Sequence, residues 1–170
     1  MKHLRKEKRV ITSSPRQTHE FGKMIAGQIR MMRPGKRAVV LGLQGELGSG
    51  KTTFVQGFTK ELGIKEKVLS PTFVILKKYE IPSTKPETIS KFTSLYHIDC
   101  YRLEKPKELF RLGFKEIIAD PQNIIIIEWA DRIKTVLPQE AAWFIFAHKQ
   151  KTARSIRACV PQKRSSKDMV

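Results

Sequence analysis

The sequence predicts an α/β fold, a three-layer sandwich with a central, mostly parallel sheet. Short apolar runs, of which residues 38–43 and 124–127 are the clearest, are typical of strands buried on both faces. Segments with helical periodicity lie between such runs, and a glycine-rich loop joins one buried strand to a helix. Ligands of these sheets bind beyond the carboxyl ends of the strands. We therefore expect the functional residues at that edge.

The predicted helices are marked by their ends as well as by their apolar faces. Ser13 or Ser14 caps the first helix, and Pro15 suits its first turn. Its apolar face consists of Phe21, Met24, Ile25 and Ile29. The predicted helices span 16–32, 52–62 and 106–112. Gly63 and Gly113 follow the last two, as is common at helix C-termini.

The remaining apolar runs predict strands, because they are short and rich in β-branched and aromatic residues. The predicted strands span 38–43, 74–79, 95–99, 124–127, 143–146 and 156–160. They belong to a single domain at 15–160, preceded by a polar, basic lead-in at 1–14. Residues 81–94 contain two prolines and many hydroxyls, which predicts an exposed loop or hairpin connection. Residues 161–170 are predicted to form a basic, disordered tail.

Composition favours a folded protein of a reducing compartment. The chain has 170 residues, of which 40% are hydrophobic and 29% are charged. No apolar run approaches the ~20 residues that cross a bilayer, and no apolar signal segment follows the basic start. Cys100 and Cys159 lack the CxxC spacing, which argues against a disulfide framework or a metal site. We expect a cytoplasmic location.

The net charge of +17 is concentrated at the two ends of the chain. Residues 1–36 carry ten Lys or Arg and two acids, while residues 149–170 carry seven and one. Lys and Arg are the residues that contact nucleic acid phosphates, so the ends are candidates for contact with RNA or another acidic partner. Solvated tails that promote solubility are the alternative, and charge alone does not decide between them.

The strongest motif in the sequence is a phosphate-binding loop. Residues 45–52, GELGSGKT, match G-x-x-x-x-G-K-[ST] in full, between a predicted strand and a predicted helix. Glycines allow positive φ and a close approach to phosphate, so that the backbone amides cradle the anion. Lys51 supplies a positive charge to the outer phosphates, and the Thr52 hydroxyl is a ligand for Mg²⁺. The predicted fold is therefore P-loop NTPase-like.

We expect this loop to bind ATP or ADP with Mg²⁺. The predicted nucleotide contacts from the loop are Gly45, Glu46, Leu47, Gly48, Ser49, Gly50, Lys51, Thr52 and Thr53. A dinucleotide site is a poor alternative, because Thr53 occupies the position of the last glycine in GxGxxG.

Two acids end predicted strands and are candidates for hydrolysis. A phosphate loop needs a second protein ligand for Mg²⁺ and a group that orients the attacking water. Asp99 ends one predicted strand and Glu128 ends another. One of them holds the metal and the other positions water in this interpretation, and the sequence does not say which. An exposed carboxylate at a strand end is the alternative for each.

Further candidates flank these acids. Thr72, in Ser70-Pro71-Thr72, is a candidate sensor of the γ-phosphate or else a turn hydroxyl. Trp129 borders the nucleotide or is an ordinary core residue. We interpret His97 as a strand side chain.

The assembled motifs resemble the TsaE family, the small ATPases of bacterial tRNA threonylcarbamoyladenosine biosynthesis. The matching stretches occur in the family's order across about residues 15–140: LQGELGSGKTTFVQGFTKELG, SPTF, LYHIDCYRL, ELFRLGF and IIIIEWADR. The phosphate loop is shared by many families, whereas LYHIDCYRL followed by a strand that ends in Glu-Trp is far more specific. Glu46 and Ser49 replace the family's more usual Asp and Ala, and the basic ends and the 81–94 loop are less typical.

This resemblance implies a cytoplasmic ATPase that binds the TsaB–TsaD heterodimer and supports its turnover in tRNA modification. We expect the protein to be weakly active and monomeric alone, to stay off membranes, and to meet tRNA indirectly; direct contact through the basic ends would be an addition. The resemblance assigns phosphate binding to Lys51 and the glycines, Mg²⁺ to Thr52 with Glu128, and hydrolysis to Asp99. It also places Thr72 in a switch-like segment and Trp129 near the nucleotide.

Two other functions remain open at this point. A small-molecule kinase on the same fold needs an acceptor pocket and usually an Arg-rich lid, and the segments after Glu128 are short and contain no such cluster. A nucleotide-dependent binding module without useful turnover is the other alternative, and the presence of both acids argues against it.

Overall fold

A computed structural model describes residues 5–82 and 91–161, so the middle of the predicted 81–94 loop and the tail from residue 162 lie outside the described residues. The described strands are β1 (Arg5–Thr12), β2 (Val39–Gln44), β3 (Leu76–Glu80), β4 (Ser94–Asp99), β5 (Asn123–Glu128), β6 (Ala142–His148) and β7 (Arg154–Pro161). The described helices are α1 (Pro15–Arg30), α2 (Lys51–Glu61) and α3 (Phe114–Ala119), with 3₁₀ helices at Pro106–Leu112 and Ala130–Val136.

The strands form one mixed sheet in the order β1-β7-β6-β2-β5-β4-β3. Its central strands β6, β2, β5 and β4 are parallel to one another. Antiparallel pairing adds β7 and β1 on one side and β3 on the other. The carboxyl ends of β2, β4 and β5 therefore meet at the same edge of the sheet. The predicted fold class is confirmed.

Helices cover both faces of the sheet. On one face, α1 and α2 pack over a core that includes Phe54 and Phe144, whose ring centroids are 5.3 Å apart. On the other face, α3 and the 3₁₀ helices contribute Leu109, Phe114 and Ile133 to a second core. Every residue of β5 is buried, as expected for a strand between two layers.

Two glycines let α1 and α2 approach closely and so fix the position of α2. A Cβ on Gly22 of α1 would lie 2.2 Å from the backbone oxygen of Phe54 in α2. A Cβ on Gly57 of α2 would lie 1.9 Å from the backbone oxygen of His19 in α1. Neither position has room for a side chain unless the helices separate. Since α2 begins at the phosphate loop, this contact also sets the orientation of that loop.

The structure corrects several predictions. Residues 1–14 are predicted to be a polar lead-in, yet residues 5–12 form β1, because β7 offers a free antiparallel edge for them. The strand predicted at 74–79 begins only at Leu76, because residues 72–74 form a turn. Met24, assigned to the apolar face of α1, is 49% exposed. The remaining predicted strands and the first two helices occur within a few residues of the predicted bounds, and the 106–112 helix is of the 3₁₀ type.

Neither α3 nor the 3₁₀ helix at Ala130–Val136 was predicted. Both are short, and each follows a residue in the left-handed conformation, Gly113 and Trp129 respectively. None of the helices among residues 5–82 and 91–161 combines the length and the apolarity needed to cross a membrane.

Candidate nucleotide site at the carboxyl edge of the sheet

The glycine-rich loop connects β2 to α2 and has the backbone conformation that its sequence predicts. Gly45, Gly48 and Gly50 have φ values of 148°, 73° and 99°. At Gly45 a Cβ would also lie 2.5 Å from the backbone oxygen of Phe146, so glycine is required there on two counts. Gly50 caps α2 without a side-chain hydrogen bond, which leaves the first amides of the helix to an incoming anion.

Lys51 lies folded over the loop and is almost fully buried. Its Nζ donates to the backbone oxygens of Gly45 at 2.7 Å and Glu46 at 2.9 Å. The same ammonium lies 4.3 Å from the centroid of the Trp129 ring. Burial lowers the pKa of Lys51, and the nearby carboxylates of Glu128 and Asp99 oppose that shift. The geometry places a partly desolvated ammonium group at the loop. A phosphate bound there would favour the charged form of Lys51.

Glu128 lies beside the first turn of α2 and is held by two partners. The Oγ1 of Thr52 is 3.0 Å from each of the Glu128 carboxylate oxygens. The Nε2 of His97 is 3.0 Å from Glu128 Oε1, and both side chains are buried. Parallel pairing of β2 with β5 places Leu43 opposite Glu128, which brings the acid to the start of the loop.

Asp99 is the neighbour of Glu128 on the adjacent strand, directly opposite it in the β4–β5 register. The hydroxyls of Ser70 and Thr72 both donate to Asp99 Oδ2, the latter at 2.6 Å. The backbone N–H of Tyr101 donates to the other oxygen at 2.9 Å. Asp99 therefore ties the Ser70–Thr72 segment to the end of β4, and its own acceptor positions are largely engaged.

Two residues with a strained backbone conformation lie next to the two acids. Among the described non-glycine residues, Ile75 and Trp129 have positive φ, at 65° and 56°. Trp129 follows Glu128 directly, and the carbonyl of Ile75 accepts a hydrogen bond from the backbone N–H of Asp99 at 2.8 Å. Positive φ is unfavourable for β-branched or bulky residues such as Ile and Trp. Residues held in such strained conformations cluster at functional sites.

These groups line a cavity of about 310 Å³. Its wall includes residues 47–53 together with Thr72, Asp99, Glu128 and Trp129. Gly45 and Glu46 do not line it; their carbonyls instead accept from Lys51. The structure thus brings almost all of the predicted site residues around one cavity. A larger cavity of about 570 Å³ lies near the C-terminus of α2 and shares no lining residue with the cavity at the phosphate loop.

The residues present fit a nucleotide with Mg²⁺. The Thr52 hydroxyl and the Glu128 carboxylate are hard oxygen ligands, which Mg²⁺ prefers. The hydroxyl of Ser49 in the loop is buried and has no hydrogen-bond partner among the described residues. An anion held by the loop would supply acceptors next to this donor and to Lys51.

Ser70 and His97 are members of this site that the sequence does not predict. His97 was interpreted as a simple strand side chain, but it contacts Glu128. A signal was available, since alternation along a strand puts His97 on the same side as Asp99. Ser70 likewise shares its tripeptide with Thr72. His148 and Arg154, near the β6–β7 turn, were also missed; Arg154 donates to the Gly48 carbonyl at 3.1 Å.

Comparison with known proteins gives a consistent result. Residues 12–156 match the family described as threonylcarbamoyl adenosine biosynthesis protein TsaE. The tRNA threonylcarbamoyladenosine biosynthesis protein TsaE of Bacillus subtilis is 40% identical over 129 residues, which cover 76% of this chain and 70% of that protein. The protein of the same name from Treponema pallidum is 34% identical over 131 residues, covering 77% and 84%. The crystal structure of Bacillus subtilis YdiB has a TM-score of 0.72 at 30% identity, covering 95% of this chain and 90% of that one.

Proposed function

The chain belongs to the TsaE family of threonylcarbamoyl adenosine biosynthesis proteins, and on that premise we propose that it is a Mg²⁺-dependent ATPase that serves a tRNA-modifying complex. It binds ATP through residues 45–52 and hydrolyses it to support turnover of a TsaB–TsaD heterodimer. The transfer of the threonylcarbamoyl group is not its own reaction. The family's place in tRNA threonylcarbamoyladenosine biosynthesis gives the pathway.

The observation that carries the ATPase proposal is the contact between Thr52 and Glu128. A complete phosphate loop supplies one metal ligand at its last position, and the nearest acid lies 3.0 Å from that hydroxyl. The two residues come from elements far apart in sequence and are brought together by the β2–β5 pairing. Glutamate side chains are rarely buried to this extent unless they are paired, and Glu128 is 3% exposed beside the last residue of the phosphate loop.

In this proposal the site residues divide into three roles. Lys51 and the loop amides bind and orient the phosphates. Thr52 and Glu128 hold the metal, since Asp99 already accepts from two hydroxyls and an amide. Mg²⁺, when bound between Thr52 and Glu128, would neutralise negative charge on the phosphates. Asp99 acts in hydrolysis through the Ser70–Thr72 segment that it holds at the cavity.

Partner and location follow from the same proposal. We infer that the chain works in the cytoplasm, where tRNA is modified, and that it is monomeric until it meets the TsaB–TsaD pair. Contact with tRNA is indirect in this account. The aromatic ring of Trp129, which packs against Lys51 and Tyr101, lies at the border of the nucleotide.

The test is phosphate release from ATP by the purified chain, with and without Mg²⁺ and with and without a TsaB–TsaD pair from the same source. We expect slow Mg²⁺-dependent release by the chain alone and faster release with the pair. Rapid release that the pair does not change would contradict the accessory role and direct attention to a phosphate acceptor. Tight nucleotide binding without release under any condition would favour a nucleotide-dependent binding module.

A further inference from the structure

We propose that His97 is a positioning residue that holds one carboxylate oxygen of Glu128, so that the other oxygen is presented to the metal beside Thr52. This inference rests on the proposed function, because it assigns a purpose to His97 within the Mg²⁺·nucleotide site. It concerns a side chain that does not line the cavity and that the sequence analysis interprets only as a strand side chain.

The contact between His97 and Glu128 is fully enclosed. His97 has no exposed surface and Glu128 is 3% exposed. The imidazole Nε2 lies 3.0 Å from Glu128 Oε1. His97 is on β4, which pairs in parallel with β5, and the strand register fixes the distance between the two side chains. Because both side chains are buried, bulk water does not compete for this hydrogen bond. The bond therefore restrains the carboxylate more than a solvent-exposed hydrogen bond would.

The surroundings of the ring select one tautomer. The Nδ1 of His97 is buried and has no hydrogen-bond partner among the described residues. If the neutral ring carried its proton on Nδ1, a buried donor would lack an acceptor, and the Nε2 lone pair would face the carboxylate. With the proton on Nε2, the ring donates to Glu128 and leaves only an unpaired acceptor. The geometry therefore assigns the Nε2–H tautomer.

The hydrogen bond from His97 can orient the Glu128 carboxylate, which an apolar side chain at this position could not do. A glutamate has three rotatable bonds, and the ammonium of Lys51 attracts the Glu128 carboxylate. The bond from His97 fixes the carboxylate toward Thr52 instead. Partners of metal ligands that act in this way change metal affinity by about 10- to 100-fold when removed. If His97 served packing alone, its replacement by a side chain of similar shape would leave the metal affinity unchanged.

Two substitutions separate these roles. His97→Phe keeps a planar ring and removes the donor, whereas His97→Gln places an amide N–H near the position of Nε2. His19→Gln is the matched control, since it makes the same change at a partly exposed histidine on α1. The measurement is Mn²⁺ binding to the ADP-loaded chain by electron paramagnetic resonance, together with ADP affinity in excess chelator.

We expect His97→Phe to weaken Mn²⁺ binding by about 10- to 100-fold, with His97→Gln recovering most of that loss. ADP affinity without metal should stay the same in all variants, and the control should match the unsubstituted chain. Unchanged Mn²⁺ affinity in a folded His97→Phe protein would overturn the proposal. So would an equal loss in His97→Phe and His97→Gln, because that pattern belongs to a packing role.

A second measurement does not depend on the variants folding or on nucleotide. Long-range ¹H–¹⁵N correlation spectra of the metal-free chain, labelled at histidine nitrogen, distinguish the two neutral tautomers. We expect the Nε2–H form for His97, and the Nδ1–H form would overturn the proposal. Failure of the unsubstituted chain to bind Mn²⁺ with ADP would instead contradict the proposed function, whatever the tautomer.

Discussion

The hydroxyl of Thr52 lies 3.0 Å from both carboxylate oxygens of Glu128, although the two residues are 76 positions apart in the chain. Thr52 is in the first turn of α2 and Glu128 is the last residue of β5. Parallel pairing of β2 and β5 and the close contact of α1 with α2 bring them together. The metal-binding role proposed for Thr52 and Glu128 can be tested by substitutions at these two residues and their neighbours.

The hydroxyl of Thr52, rather than its size, is expected to matter. Thr52→Ala removes the proposed ligand, while Thr52→Ser keeps it. We expect the Mg²⁺ concentration for half-maximal phosphate release to rise by roughly tenfold or more in Thr52→Ala, since even outer partners of a metal have effects of that order. Thr52→Ser should stay close to the unsubstituted chain. Equal effects of both substitutions would exclude a metal ligand at this hydroxyl.

Asp99 is expected to affect turnover more than binding. Asp99→Asn keeps the shape of the side chain and removes the charge that accepts from Ser70 and Thr72. We expect a fall in kcat of about 10- to 100-fold, the range found when a residue that positions the groups of a metal site is removed, and little change in ATP affinity. Thr72→Val should give a smaller loss, and Thr93→Val, at an exposed site, should give none. A loss confined to ATP affinity would contradict this assignment.

The contact of α1 with α2 predicts opposite effects of the same substitution at two positions of one helix. Gly22→Ala would place a Cβ 2.2 Å from the Phe54 backbone oxygen, so we expect a loss in the free energy of unfolding of about 1–3 kcal/mol. At Gly27 the nearest atom would be 3.8 Å away, and Gly27→Ala should stabilise α1 by about 0.5–1 kcal/mol. Urea denaturation measures both, and equal stability of the two variants would refute the packing argument.

The two cysteines are expected to differ in reactivity. Both are free, and Cys100 is buried whereas Cys159 is partly exposed. Burial raises the pKa of Cys100 to about 12, so its thiol stays protonated at pH 8 and reacts only as the pH approaches that value or the protein unfolds. Iodoacetamide at pH 8 should modify Cys159 alone in the native protein and both cysteines in urea. Native modification at Cys100, located by mass spectrometry, would show that the end of β4 opens.

The sequence predicts best what depends on local pattern. The phosphate loop, the start of α2 and the strand-end positions of Asp99 and Glu128 are each encoded within a few residues. β1 was missed because RKEKRVIT is rich in Lys and Arg, which suit an edge strand but not a buried one. Its pairing depends on β7, almost 150 residues away, and no local pattern reveals that pairing.

The contacts of the site were harder to predict than its members. The contact between His97 and Glu128 depends on the β4–β5 register. The contacts of Ser70 and Thr72 with Asp99 depend on the turn that precedes β3. These contacts join segments that are distant in the sequence, so no local sequence pattern predicts them. The left-handed conformation of Trp129 was equally unforeseen, since bulky residues rarely adopt it.

ATP affinity with and without Mg²⁺ tests the central claim most directly, for the unsubstituted chain, Lys51→Ala and Glu128→Gln. We expect Mg²⁺ to tighten binding by the unsubstituted chain. Glu128→Gln should retain binding in excess chelator and lose the effect of Mg²⁺, while Lys51→Ala should bind weakly in both conditions. Affinity that does not respond to Mg²⁺ in the unsubstituted chain, or that survives in Lys51→Ala, would contradict a metal–nucleotide site built from Lys51, Thr52 and Glu128.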